Sequence, residues 1–111
     1  MKLILAATAA MIAVLIGSGA AAEDTRTLSQ FLLVCNSSPR TCQANLEDYL
    51  RASKDQGFIC LPEDLSLRDA AYQELSWLQK EGGADDKLNQ GSAEDAQWTA
   101  INKLWPCKKP E

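Results

Sequence analysis

Apolar residues recur at helical spacing through most of this chain, and polar punctuation divides it into four helical segments. From Thr27, the positions Leu28, Phe31, Leu32 and Cys35 follow the i, i+3, i+4, i+7 rule and predict a short first helix. Asn36-Ser37-Ser38-Pro39 reads as a turn, with Ser38 as N-cap and Pro39 at the first helical position, where its missing N–H costs nothing. The second helix, expected over roughly 39–56, carries the stripe Cys42, Leu46, Tyr49 and Leu50, puts Glu47, Asp48 and Arg51 on its wet side, and stops at Gly57.

Phe58-Ile59-Cys60-Leu61-Pro62 is an apolar, extended linker whose proline keeps it from merging with the next helix. Ser66 and Asp69 resemble a capping box for a third helix over roughly 67–81, with Leu67, Ala71, Leu75 and Leu78 as its stripe. Gly82-Gly83 is expected to end it. The stretch from there to Gly91, with Asp85, Asp86, Lys87, Asn89 and Gln90 around a lone Leu88, reads as the longest polar loop. Ser92 caps a fourth helix with Glu94 and Asp95 in its first turn, where the helix dipole favours negative charge. Trp98, Ile101, Leu104 and Trp105 form its stripe, and Pro106 stops it. No strand and no repeat is evident, so the expected fold is all-α: a compact bundle of about four helices.

The pattern ahead of these segments differs. A single cation, Lys2, precedes an apolar run from Leu3 to Ile16, then small residues through Ala22, before the first acid at Glu23. This predicts a cleavable signal peptide over residues 1–22, and so a periplasmic location, with residues 23–111 as one domain. A run of fourteen residues is too short for a retained anchor, since a spanning helix needs about 20.

Cleavage after Ala22 would leave 89 residues with ten cations against fifteen acids, a net charge of −5. That balance speaks against a nucleic-acid ligand, which needs a basic stripe, and favours a basic partner.

All four cysteines, Cys35, Cys42, Cys60 and Cys107, lie beyond the signal segment, and an even count in a short exported chain predicts two disulfides. A metal site is disfavoured because the chain has no histidine and no C-x-x-C pair. If the helices run up and down, Cys35 and Cys42 share one end of the bundle, while Cys60 and Cys107 meet at the other. The favoured pairing is therefore Cys35–Cys42 with Cys60–Cys107. A bent second helix would permit Cys35–Cys60 with Cys42–Cys107 instead.

The missing histidine also removes Ser-His and Cys-His nucleophiles, so no enzymatic activity and no cofactor are expected. The acid pairs Glu47-Asp48, Glu63-Asp64, Asp85-Asp86 and Glu94-Asp95 are adjacent in sequence, which on a helix points the two side chains apart and reads as solvated surface. Among the tryptophans, Trp98 and Trp105 fall on the fourth helix's stripe and read as core. Trp77 lies off its stripe and is a candidate for a partner surface.

A cysteine ending a short helix, a second opening a helix that contains Tyr49-Leu50, then Cys60-Leu61-Pro62 and finally Leu104-Trp105-Pro106-Cys107 resemble the order of landmarks in the Rap/Tai family. The resemblance covers about Phe31 to Cys107. It implies a small, exported, disulfide-stabilised helical protein that neutralises a type VI secretion effector such as a peptidoglycan amidase.

On that reading the partner is a protein effector, with no nucleic acid and no membrane after cleavage, and a homodimer is left open. The expected binding residues are Trp77, Asp85, Asp86, Lys87, Asn89 and Gln90, presented on the loop from Gly82 to Gly91 as a plug. Two rival readings are an acid-stress holdase of the periplasm and a structural subunit of an envelope complex.

Overall fold

A computed structural model describes residues 25–107; the signal-peptide reading over 1–22 lies outside the described residues. Five helices occur among them: α1 (Leu28–Ser37), α2 (Pro39–Asp55), α3 (Leu67–Ala84), α4 (Asp86–Gln90) and α5 (Ala93–Leu104). No strand forms among these residues, and the two disulfides are Cys35–Cys42 and Cys60–Cys107. The all-α bundle and the favoured cysteine pairing therefore both hold.

Side-chain chemistry sets the helix ends. Thr27 accepts a hydrogen bond from the Gln30 N–H (3.1 Å) while the Gln30 side-chain oxygen accepts from the Thr27 N–H (3.0 Å), a complete capping box at α1. Ser66 and Ser92 cap α3 and α5 through the N–H groups of Asp69 and Asp95. Ser38 occupies the N-cap position of α2 but makes no side-chain cap hydrogen bond. At the other end of α2, Gly57 takes φ +79°, and the N–H groups of Gly57 and Phe58 donate to the carbonyls of Lys54 and Ser53. This is a Schellman motif, which needs a left-handed residue that glycine supplies without steric cost.

The core gathers Leu28 and Phe31 from α1, Leu46 and Leu50 from α2, Leu78 from α3, Ile101 from α5 and Ile59 from the linker, each essentially inaccessible to solvent. Full burial of each such side chain contributes about 1.5–3 kcal/mol before ordering entropy is counted. α2 packs most extensively on α3, and α5 packs on α3 and α1. Two backbone bridges close the bundle. Thr27 pairs with Ser92, joining the starts of α1 and α5, and Ile59 pairs with Pro106, with the Cys60 N–H donating to the Trp105 carbonyl (3.0 Å) beside the second disulfide.

The expected polar loop from Gly82 to Gly91 is instead helical. α3 continues through Gly82 and Gly83 to Ala84, and α4 follows directly. Gly82 does not terminate the helix; it allows close approach, because a Cβ there would lie 2.9 Å from Leu28 Cδ2. Asp85 supplies the break, accepting from the N–H groups of Lys87 and Leu88 as the cap of α4. The double glycine does not act as a stop because Gly82 packs against Leu28 of α1, a contact the local sequence does not display, while Gly83 is exposed with nothing close to its Cβ position.

Candidate partner-binding site

Of the residues singled out from the sequence, Asp85 is engaged as a helix cap, Asn89 is half-buried, and Asp86, Lys87 and Gln90 are exposed on α4 or its end. Trp77 is half-buried and packs against the core. These side chains are carried on two consecutive helices and the Asp85 break between them, not on an irregular loop.

Four large apolar side chains are exposed among the described residues: Leu33, Phe58, Tyr72 and Trp98. Two of them touch each other. The rings of Phe58 and Trp98 meet edge to face, with centroids 5.6 Å apart and planes at 88°, although the residues remain 51% and 41% exposed. Such a contact has favourable quadrupole geometry and fixes both rings. The Schellman turn holds Phe58, and the Cys60–Cys107 disulfide lies two residues further on. Trp98 projects from α5 one turn after the exposed acids Glu94 and Asp95.

The core reading of Trp98 is therefore corrected, while Trp105 is buried as expected. The buried face of α5 consists of Ala93, Ala96, Gln97, Ala100 and Ile101. Small residues lie where helices approach closely, which leaves the larger Trp98 on the rim. The alanine spacing was visible in the sequence, but the larger side chains dominated the assignment of the stripe.

Beneath this rim, α2, α3 and α5 share a polar cluster. Gln97 of α5 donates to the Asn45 side-chain oxygen of α2 (3.3 Å). Tyr49, one turn further along α2, is half-buried; burial raises its phenol pKa above the ordinary value, with Glu94, Glu74 and Asp95 adding repulsion. Glu74 of α3 is fully buried, and neither carboxyl oxygen has a hydrogen-bond partner; the Oε1 of Gln97 also lacks one. Burial pushes the Glu74 pKa up to about 8, so the group is predominantly neutral at pH 7. It falls among Ala70, Ala71 and Leu78 on the buried face, a position the stripe assigned from Leu67, Ala71, Leu75 and Leu78 did not include. Its i+4 relation to Ala70 and Leu78 was the available signal.

Among the described residues there is no group of three or more histidine, cysteine or acidic side chains arranged to hold a metal ion, and no helix is long and apolar enough to cross a membrane. No known family's sequence profile matches the chain, and no curated protein or solved structure shows significant similarity to it.

Proposed function

We propose that this chain is an exported protein inhibitor that binds and occludes a secreted, cell-wall-targeting effector, as its resemblance to the Rap/Tai immunity proteins implies. The observation that carries the reading is the Phe58–Trp98 pair, two exposed aromatic rings held against each other on a disulfide-braced end of the bundle. Aromatic anchors contribute a disproportionate share of binding energy at protein interfaces. Rings already fixed before binding lose less conformational freedom on docking. Glu94 and Asp95 beside Trp98 favour a basic surface on the partner, in keeping with the overall net charge of −4.

This assignment moves the proposed anchor away from the segment between Gly82 and Gly91. Asp86, Lys87 and Gln90 remain exposed there as a second contact region, with Trp77 reduced to a supporting position.

The rival holdase reading requires a fold that loosens in acid, and Glu74 works in the opposite direction. Its folded pKa of about 8 exceeds the ordinary value of 4.5, so between these limits the unfolded chain gives up a proton that the folded chain keeps. Stability from this group is therefore greatest below about pH 4.5, declines as pH rises towards 8, and levels off above it.

The test captures the partner with the purified chain and assays it on isolated peptidoglycan. A captured hydrolase that loses activity at a one-to-one ratio, and regains it with Trp98→Ala, supports the proposal. A partner without cell-wall activity contradicts it.

A further inference from the structure

The opposite end of α2 carries a second, chemically different feature. A cleft of about 490 Å³ lies between the first half of α2 and the start of α3, and the Cys35–Cys42 disulfide lines one end of it. This volume is within the roughly 300–1,000 Å³ typical of small-ligand sites. Arg40 and Arg68 both line it and both are exposed, and neither is paired with a carboxylate among the described residues. The Arg68 guanidinium lies 6.0 Å from the Tyr72 ring centroid, which orients it, and Tyr72 with Leu75 provides an apolar wall.

The acid in the cleft is already engaged. Glu47 Oε2 accepts from Gln43 Nε2 at 2.7 Å, and the same nitrogen donates to the Arg68 carbonyl at 3.3 Å, tying α2 to α3. The positive end of the α2 dipole adds to the two arginines, because Ser38 contributes no side-chain cap there. A monoanion is favoured over a dianion, because Glu47 would repel the second charge. The planar guanidinium fork matches a carboxylate.

From these features we propose that the Arg40–Arg68 cleft is a binding site for a peptide segment bearing a carboxylate next to an aromatic or aliphatic side chain, the carboxylate on the guanidinium groups and the apolar group against Tyr72 and Leu75. The site is separate from the Phe58–Trp98 pair and does not depend on the inhibitor reading.

The test titrates the isotopically labelled full chain with N-acetyl-glycyl-phenylalanine, its C-terminal amide and inorganic phosphate, following backbone amide shifts. The free-acid peptide should shift amides around Arg40, Gln43 and Tyr72 and bind about twofold to fivefold more tightly than the amide, the range expected of exposed ion pairs. Arg40→Ala with Arg68→Ala should abolish that preference while leaving the spectrum otherwise folded, and Trp98→Ala should leave it intact. Equal binding of acid and amide, shifts located elsewhere, no shifts at all, or phosphate binding as tightly as the peptide would each overturn the proposal.

Discussion

The two ends of α2 are built from the same device and present opposite chemistry. Each is held by a disulfide with a Cα–Cα distance of 4.8 Å, yet one bond closes a separation of 7 residues and the other 47. The short link fastens two consecutive helices beside a cationic cleft lined by Arg40 and Arg68. The long link fastens the α2–α3 connection to the segment that follows α5, beside an aromatic pair flanked by acids. The difference separates fastening a neighbour from closing a fold: the second bond spans α3, α4 and α5, while the first closes only the short loop across the break at Ser38 between α1 and α2.

That contrast predicts unequal losses. Replacing Cys60 and Cys107 with alanine should cost about 4 kcal/mol in a chemical denaturation midpoint analysis, against about 2.5 kcal/mol for Cys35 and Cys42, by the loop-entropy account. Equal losses would show that the longer bond does not act by restricting the unfolded chain.

The polar cluster between the two ends gives the next largest effect. Retaining a buried, unpartnered Glu74 should cost on the order of 4 kcal/mol above pH 8 relative to pH 4, from the difference between its folded and ordinary pKa values. Glu74→Gln should remove that dependence, so that thermal melts of the variant and parent diverge progressively from pH 5 to pH 8.5, with the variant the more stable. Parallel melting curves across that range would place the carboxyl in a better-solvated setting than the packing describes.

Smaller effects distinguish backbone from surface. Gly57→Ala should lower stability by about 1 kcal/mol, because the Schellman turn holds this residue at φ +79°. It should also weaken partner binding, since the same turn positions Phe58. Arg40→Ala and Arg68→Ala should each change stability by no more than about 0.5 kcal/mol, as expected of exposed side chains without a carboxylate partner.

Much of the scaffold was legible in the sequence because local rules and tertiary packing agree there. Pro39 at the first position of α2, Gly57 after its end, and Ser66 and Ser92 as caps each act within four residues, so their meaning is local. The cysteine pairing followed from helix length and alternating direction. What was not legible depends on approach distances between helices. Gly82 and Gly83 read as a helix stop until the contact with Leu28 is known, and Trp98 read as core until the alanines of α5 are seen to occupy the tight interface. Glu74 reads as a solvated acid by residue type alone. It is buried together with the small residues Ala70, Ala71 and Gly82 of the same helix, whose burial residue type alone does not reveal.

The most direct test of the proposed function is calorimetric titration of the captured partner protein with the parent chain, with Phe58→Ala/Trp98→Ala and with Arg40→Ala/Arg68→Ala, each checked for native helicity. Loss of the aromatic pair should weaken binding by about 2 kcal/mol or more, near thirtyfold, as expected for interface anchors. The arginine variant should bind within about threefold of the parent. Undiminished affinity after removal of both rings would contradict the assignment of this end of the bundle as the inhibitory surface.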